Sequence, residues 1–125
     1  MNLRLMPRRA QTLRAQLQVQ RAVVQDELAQ LTQRLRLPDY RDAQDDGERA
    51  SQDMQRTFDA GRVQALAHAL RDIEAALSQH AEGRYGRCTL CGGNIPVLRL
   101  RSLPTVRFCR VCQEWRGQAA DRLAA

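Results

Sequence analysis

Two Cys-x₂-Cys pairs, Cys88/Cys91 and Cys109/Cys112, separated by 17 residues, constrain this chain more than any other feature. Each pair makes a tight turn that aims two sulfurs at one centre, and the segment between them has only to fold back to complete a tetrahedron. Four thiolates around Zn²⁺ leave no open position for water or substrate, so an ion held this way serves structure rather than catalysis. At such sites binding contributes about 10–16 kcal/mol in peptide models, and that free energy feeds folding directly. The other uses of paired cysteines are a redox dithiol, a disulfide pair or an iron–sulfur cluster. A thioredoxin-like dithiol needs a βαβ setting, which this sequence lacks. The spacing therefore points to one structural zinc on Cys88, Cys91, Cys109 and Cys112. Gly92-Gly93 relaxes the backbone after the first pair so that amide N–H groups can approach sulfur, and Arg87 and Arg110 adjoin the pairs as candidates to offset a formal −2 charge.

A staple of this kind suits the rest of the chain. With 125 residues and 4% aromatics, the sequence favours extended helices over a thick core, and chains this small usually need a metal, a disulfide or a partner. Apolar residues recur at Leu13, Leu17, Val24, Leu28, Leu31 and Leu35, a 3.6-residue rhythm that predicts a helix over 8–36. Pro38 stops it, because the residue before a proline is pushed out of the α region. Residues 37–47 are rich in turn formers. A second stripe, Met54, Phe58, Ala65, Leu66, Ala69, Leu70, Ile73 and Leu77, predicts a helix over about 48–81, with Gly83 as its C-terminal cap.

Two long amphipathic helices on a short connection bury their stripes against each other. The expected fold is mainly α: a long antiparallel helical hairpin, a coiled coil, over 1–83 with a tip loop at about 37–47, then a small four-cysteine zinc-finger module over 84–125 ending in a short helix near Val111–Leu123. Trp115 is expected to pack back against the module or the hairpin. A hairpin of this kind satisfies its stripe as a monomer.

The charges are polarised. Residues 84–116 carry seven arginines against Glu114 alone, whereas 39–53 carry six acids against Arg41 and Arg49. All 20 basic residues are arginine, which a GC-rich genome explains better than selection for phosphate contacts does. No apolar run approaches the roughly 20 residues of a membrane span, and Arg4 and Pro7 interrupt any signal-like segment. A cytoplasmic protein is expected, where thiols stay reduced and available to metal. His68 and His80 lack metal-binding company and read as solvated or packing residues. No nucleophile–base set, phosphate-cradling glycine loop or convergent acid–base pair is present, so the chain is not expected to be an enzyme.

The run Gly83-Arg84-Tyr85-Gly86-Arg87-Cys88-Thr89-Leu90-Cys91-Gly92-Gly93-Asn94-Ile95, followed by Arg99-Leu100, Pro104 and Cys109-Arg110-Val111-Cys112, resembles the DksA/TraR C4-type zinc-finger signature. The upstream hairpin resembles the DksA-like branch. The resemblance implies a transcription regulator that binds RNA polymerase rather than DNA and inserts its tip into the secondary channel, near the catalytic centre. The family's tip motif, Asp-x-x-Asp-x-Ala, maps onto Asp45, Glu48 and Ala50, with glutamate in place of the second aspartate. Asp45 and Glu48 also fit a capping box opening the second helix. Positions that supply basic groups to the alarmone ppGpp in DksA-like members correspond here to Asp72, Leu103 and Gln113, so little ppGpp dependence is expected.

Two other functions compete with this one. Arg99, Arg101 and Arg107 are candidate partner contacts, and an Arg-rich finger suits a nucleic-acid-binding module. A zinc-stabilised adaptor for another protein is the third reading. Acids at the hairpin end disfavour direct DNA binding there.

Overall fold

In the computed structural model, residues 7–37 and 46–124 are described. They form four helices, α1 (Pro7–Arg36), α2 (Asp46–Ala81), α3 (Val97–Ser102) and α4 (Arg110–Ala124). Among the described residues there is no strand, only an isolated antiparallel bridge between Arg87 and Asn94. The architecture is the mainly α hairpin followed by a small cysteine module. None of the described helices is long and apolar enough to cross a membrane.

Local chemistry sets the helix ends. Pro7 opens α1, where its fixed φ suits the first turn and its missing N–H has no acceptor to lose. Arg34 and Arg36 close α1 at the negative end of its dipole, but the first turn carries Arg8 and Arg9 and no acid. The start of α2 follows the usual preference, with Asp46 and Glu48 in its first turn. Its end is a Schellman motif: Gly83, at φ +71°, donates to the His80 carbonyl at 3.2 Å, and Arg84 donates to that of Gln79 at 2.9 Å. Gly83 thus caps the helix as its sequence position predicts.

The chain divides into two compact units, Gln20–Arg71 and the remainder up to Val19 and from Asp72 onward. Within Gln20–Arg71 polar contacts join α1 to α2. Arg62 makes a two-bond fork to Glu27 at 3.0 and 3.2 Å, Arg34 lies 3.5 Å from Asp59, and Arg56 donates to the Leu35 carbonyl at 3.2 Å. As the α1 partner advances from 27 to 35, the α2 partner retreats from 62 to 56, the signature of antiparallel pairing.

Burial follows the expected stripe on α1 and departs from it on α2. Leu13, Leu17 and Leu31 are buried, and Val24, Leu28 and Leu35 are half-buried. On α2, Leu66 and Ile73 are buried, but Met54 and Phe58 stand 74% and 69% exposed and Ala65 is also exposed. The covered positions include Gln52, Arg56, Asp59, Val63, Leu66, Leu70, Ile73 and Leu77, in alternating steps of four and three, with Ala76 also buried beside them. That rhythm is the seam of a helix pair. Its first three positions are polar, so a search for apolar residues picks up the neighbouring face instead.

In the other unit the core gathers Leu13, Cys88, Ile95, Leu100 and Cys112, with Tyr85, Val106, Phe108 and Cys109 packed against it. Leu13 comes from α1, so the cysteine module is closed by a helix that begins some 75 residues earlier. Trp115 does not join this core. It is 59% exposed, because α4 turns only Cys112 fully inward. The Phe108 ring instead carries the Arg116 guanidinium 4.1 Å above it.

Candidate metal centre

The first cysteine pair sits on a short reversal of the chain. Cys88 donates to the Gly93 carbonyl at 2.7 Å, Gly92 to that of Cys88 at 2.9 Å, and Ile95 to that of Gly86 at 2.7 Å. Gly92 lies at φ +74°, a conformation that suits glycine. The Gly93 amide donates to the Cys91 sulfur at 3.4 Å, the approach that the glycine pair predicts.

The second pair spans the start of α4. Cys109 immediately precedes the helix and Cys112 follows three residues on, a spacing that puts both on one helical face. One further bond, from Thr89 to the Arg107 carbonyl at 2.8 Å, ties the two pairs together.

All four sulfurs lie within 4.8 Å of one another. A tetrahedral zinc with Zn–S bonds of about 2.3 Å requires sulfurs about 3.8 Å apart. The Cys91 and Cys109 sulfurs are 3.8 Å apart. The donor set is all sulfur, and the cage is partly sheltered: Cys88 and Cys112 are buried, Cys109 half-buried and Cys91 exposed. These residues fit one structural zinc.

The metal-free sulfurs are not equivalent. Burial opposes a charge on Cys88, but hydrogen bonds from the backbone of Cys91, Cys109 and Leu90 and from the Cys91 side chain outweigh it and bring the thiol down to about 6. The bond to the Cys109 sulfur, then burial, then the Cys88 and Cys91 sulfurs push Cys112 up to about 12.

The remaining sequence candidates lie in varied settings. Arg110 pairs with Glu114 at 3.3 Å and Arg87 is exposed on the Asn94 bridge. Arg99 is half-buried and donates to the Phe108 carbonyl at 3.4 Å, so its guanidinium braces the module from within. Arg101 and Arg107 are exposed, with Arg107 5.9 Å from the centre of the Phe108 ring. Glu48 and Ala50 are exposed near the start of α2, and Asp45 lies outside the described residues, as does most of the 37–47 connection. Asp72 is half-buried, and Leu103 and Gln113 are exposed.

Two residues gain importance from the structure. His80 stacks on Tyr85 with ring centres 3.7 Å apart and planes 17° from parallel, and its Nε2 is buried without a hydrogen-bond partner. Burial first, and the Arg14 charge second, lower its pKa. Tyr85 donates its hydroxyl to the Pro104 carbonyl at 2.8 Å, and burial raises its pKa to about 12. Together they lock the end of α2 to the module. The aromatic position just before the first CxxC was the available signal for Tyr85, whereas nothing local marks His80 as its partner.

Residues 83–114 match the prokaryotic dksA/traR C4-type zinc finger. A 45-residue stretch is 44% identical to an uncharacterized protein of Aquifex aeolicus (strain VF5), covering 36% of this chain and 31% of that one, so the match spans under a third of the relative's length. The structure of transcription factor DksA2 from Pseudomonas aeruginosa superposes with a TM-score of 0.76 at 27% identity, over 94% of this chain and 88% of that one. Residues 83–114 thus carry the signature of the prokaryotic dksA/traR C4-type zinc finger around the four-sulfur site, and the fold resembles that of a solved DksA protein.

Proposed function

We propose that this protein is a non-enzymatic, cytoplasmic transcription regulator that binds RNA polymerase. The hairpin enters the secondary channel, and Asp45, Glu48 and Ala50 work at its end near the catalytic centre. The observation that carries the reading is the match, over nearly the whole of both chains, to a protein described as a transcription factor. The finger signature at 83–114 supports it independently.

In this reading the zinc holds the finger closed and takes no part in chemistry. Its four sulfurs hold the segment between the cysteine pairs that carries Arg101 and Arg107, and Leu13 joins the same core from α1. The tip delivers carboxylates. Glu48 keeps the charge of the family's second aspartate but carries it one methylene further out. No basic side chain stands at Asp72, Leu103 or Gln113, and a carboxylate at residue 72 opposes a pyrophosphate. Binding to polymerase is therefore independent of ppGpp, and the protein acts as a monomer.

The test is the half-life of an RNA polymerase–promoter open complex, with and without this protein and without ppGpp. Shortening that Asp45→Ala abolishes and Glu48→Asp preserves or deepens supports the reading. Polymerase binding with an unchanged half-life would sink the tip mechanism, and absence of binding would sink the whole reading.

The arginine excess of the finger favours one second reading, a nucleic-acid-binding module. There, replacing Arg101 or Arg107 would each reduce the salt slope of nucleic-acid affinity by about one.

A further inference from the structure

Outside the metal centre, three arginines are among the residues that line one concavity. A hollow of about 180 Å³ lies between the start of α1 and α3, lined by Arg8, Arg9 and Gln16 on one side and Arg101 on the other, with Thr12 and Leu13 completing the α1 wall. All three arginines are exposed, and among the described residues no acid lines the hollow. The ion pairs seen in this unit, Arg84–Glu82 and Arg110–Glu114, involve other residues. The sequence explains the imbalance. The first acid in the chain is Asp26, and the unit up to Val19 and from Asp72 onward carries twelve arginines against five acids.

Bringing like charges around one concavity is unfavourable unless something negative offsets them. The lining specifies what that is. Guanidinium groups present planar forks of N–H donors that match phosphoryl oxygens two at a time. Thr12 spends its hydroxyl proton on the Arg8 carbonyl at 3.0 Å, so the donors left to a ligand are the three guanidiniums and the Gln16 amide. A cation finds no carboxylate here. The hollow is also smaller than the roughly 300–1,000 Å³ typical of drug-sized ligands, which suits one or two phosphoryl groups rather than a whole nucleotide.

We propose that the hollow between α1 and α3 binds a small phosphate-bearing anion of the pyrophosphate type through Arg8, Arg9 and Arg101. The proposal does not rest on the polymerase reading, although Arg101 belongs to the finger surface used there.

The experiment titrates the zinc-loaded full chain with inorganic pyrophosphate at low salt, following heat and the backbone amide signals of Thr12, Gln16 and Arg101. Saturable one-to-one binding is expected. Arg8→Gln and Arg101→Gln should each weaken it by about tenfold or more, the scale of one charge-assisted hydrogen bond. Arg101→Lys should retain part of the affinity, and Arg122→Gln, on exposed α4, should stay within about twofold of the parent. Unaltered zinc content and helix signal identify a local effect. Absence of saturation overturns the proposal, as does equal weakening by Arg122→Gln, which indicates diffuse charge attraction. A competing single-stranded oligonucleotide that binds through the same arginines at least about tenfold more tightly than pyrophosphate overturns the small-anion assignment.

Discussion

The carboxylate of Asp59, whose side chain is only 6% exposed, lies 3.5 Å from the guanidinium of Arg34, which is 61% exposed. Gln55 on the preceding turn donates to its other oxygen at 2.9 Å. A buried acid at a seam position is thus satisfied by one neighbour on its own helix and one on α1. Because Arg34 is mostly in water, the ion pair itself is screened, and the cost of disrupting it lies chiefly on the Asp59 side. Asp59→Ala is expected to lower stability by about 1–3 kcal/mol through the lost contacts and the void. Asp59→Leu should cost less, since the seam regains packing and Arg34 keeps its solvent. Urea midpoints of the two variants check the order, and an alanine variant as stable as the parent would refute it.

The Glu27–Arg62 fork gives the contrasting case. Its partners are 39% and 48% exposed, so breaking it by Arg62→Gln should cost less than Asp59→Ala despite the better geometry. A cost above that of Asp59→Ala, read from the same urea midpoints, would show that geometry outweighs burial here.

Zinc occupancy should be one per chain by elemental analysis, and Cys112→Ser should abolish it. In the metal-free chain the Cys112 thiol is pushed up by its bond to the Cys109 sulfur and the Cys88 thiol is brought down by its hydrogen bonds. Zinc loading at pH 7 should therefore release at least the Cys112 proton, and acidification should release the metal. Calorimetric heats in buffers of different ionisation enthalpy measure the release, and buffer-independent heats would contradict it.

Gly86 and Gly83 both have positive φ, but their surroundings differ. A Cβ at Gly86 would meet Leu100 Cδ1 at 3.3 Å, whereas at Gly83 it would enter open space. Leu100 is buried in the zinc module and cannot yield freely. Gly83→Ala should cost about 1 kcal/mol from backbone conformation alone, and Gly86→Ala more than that. Equal losses in thermal stability would mean that Leu100 repacks without penalty.

The interlock of His80 and Tyr85 gives the unit a limit at each end of the pH scale. Tyr85 has a raised pKa, so its contribution is complete below the ordinary tyrosine value of about 10 and fades as pH rises towards about 12. His80 has a lowered pKa, so its contribution is present above the ordinary histidine value of about 6.5 and is lost as pH falls through the depressed one. Tyr85→Phe should remove the alkaline loss while costing about 1 kcal/mol at neutral pH for the bond to Pro104. His80→Gln should flatten the acid limb. Chemical denaturation across pH tests both, and an acid limb unchanged in His80→Gln would assign it elsewhere.

Cysteine spacing carried the metal site because each CxxC is a local turn and the four sulfurs need only one reversal between them. The end of α2 was equally legible, since Gly83 acts on its own backbone. What escaped depends on partners distant in sequence. Asp59 holds a seam position that polarity disguises, while Met54 and Phe58 advertise a face that remains in water. Trp115 looks like a core residue by type, but the direction of α4 is set by Cys112. His80 and Leu13 take their roles from residues on other elements, which periodicity cannot name.

Leu13 bears on how the family signature should be regarded. Residues 83–114 form a recognisable segment, but the hydrophobic floor under their sulfurs includes a side chain from α1. The finger is therefore not an interchangeable cassette. Transplanted into another scaffold, it would need a substitute for that leucine, and within its own chain a truncation of Leu13 is expected to loosen the hold on the metal.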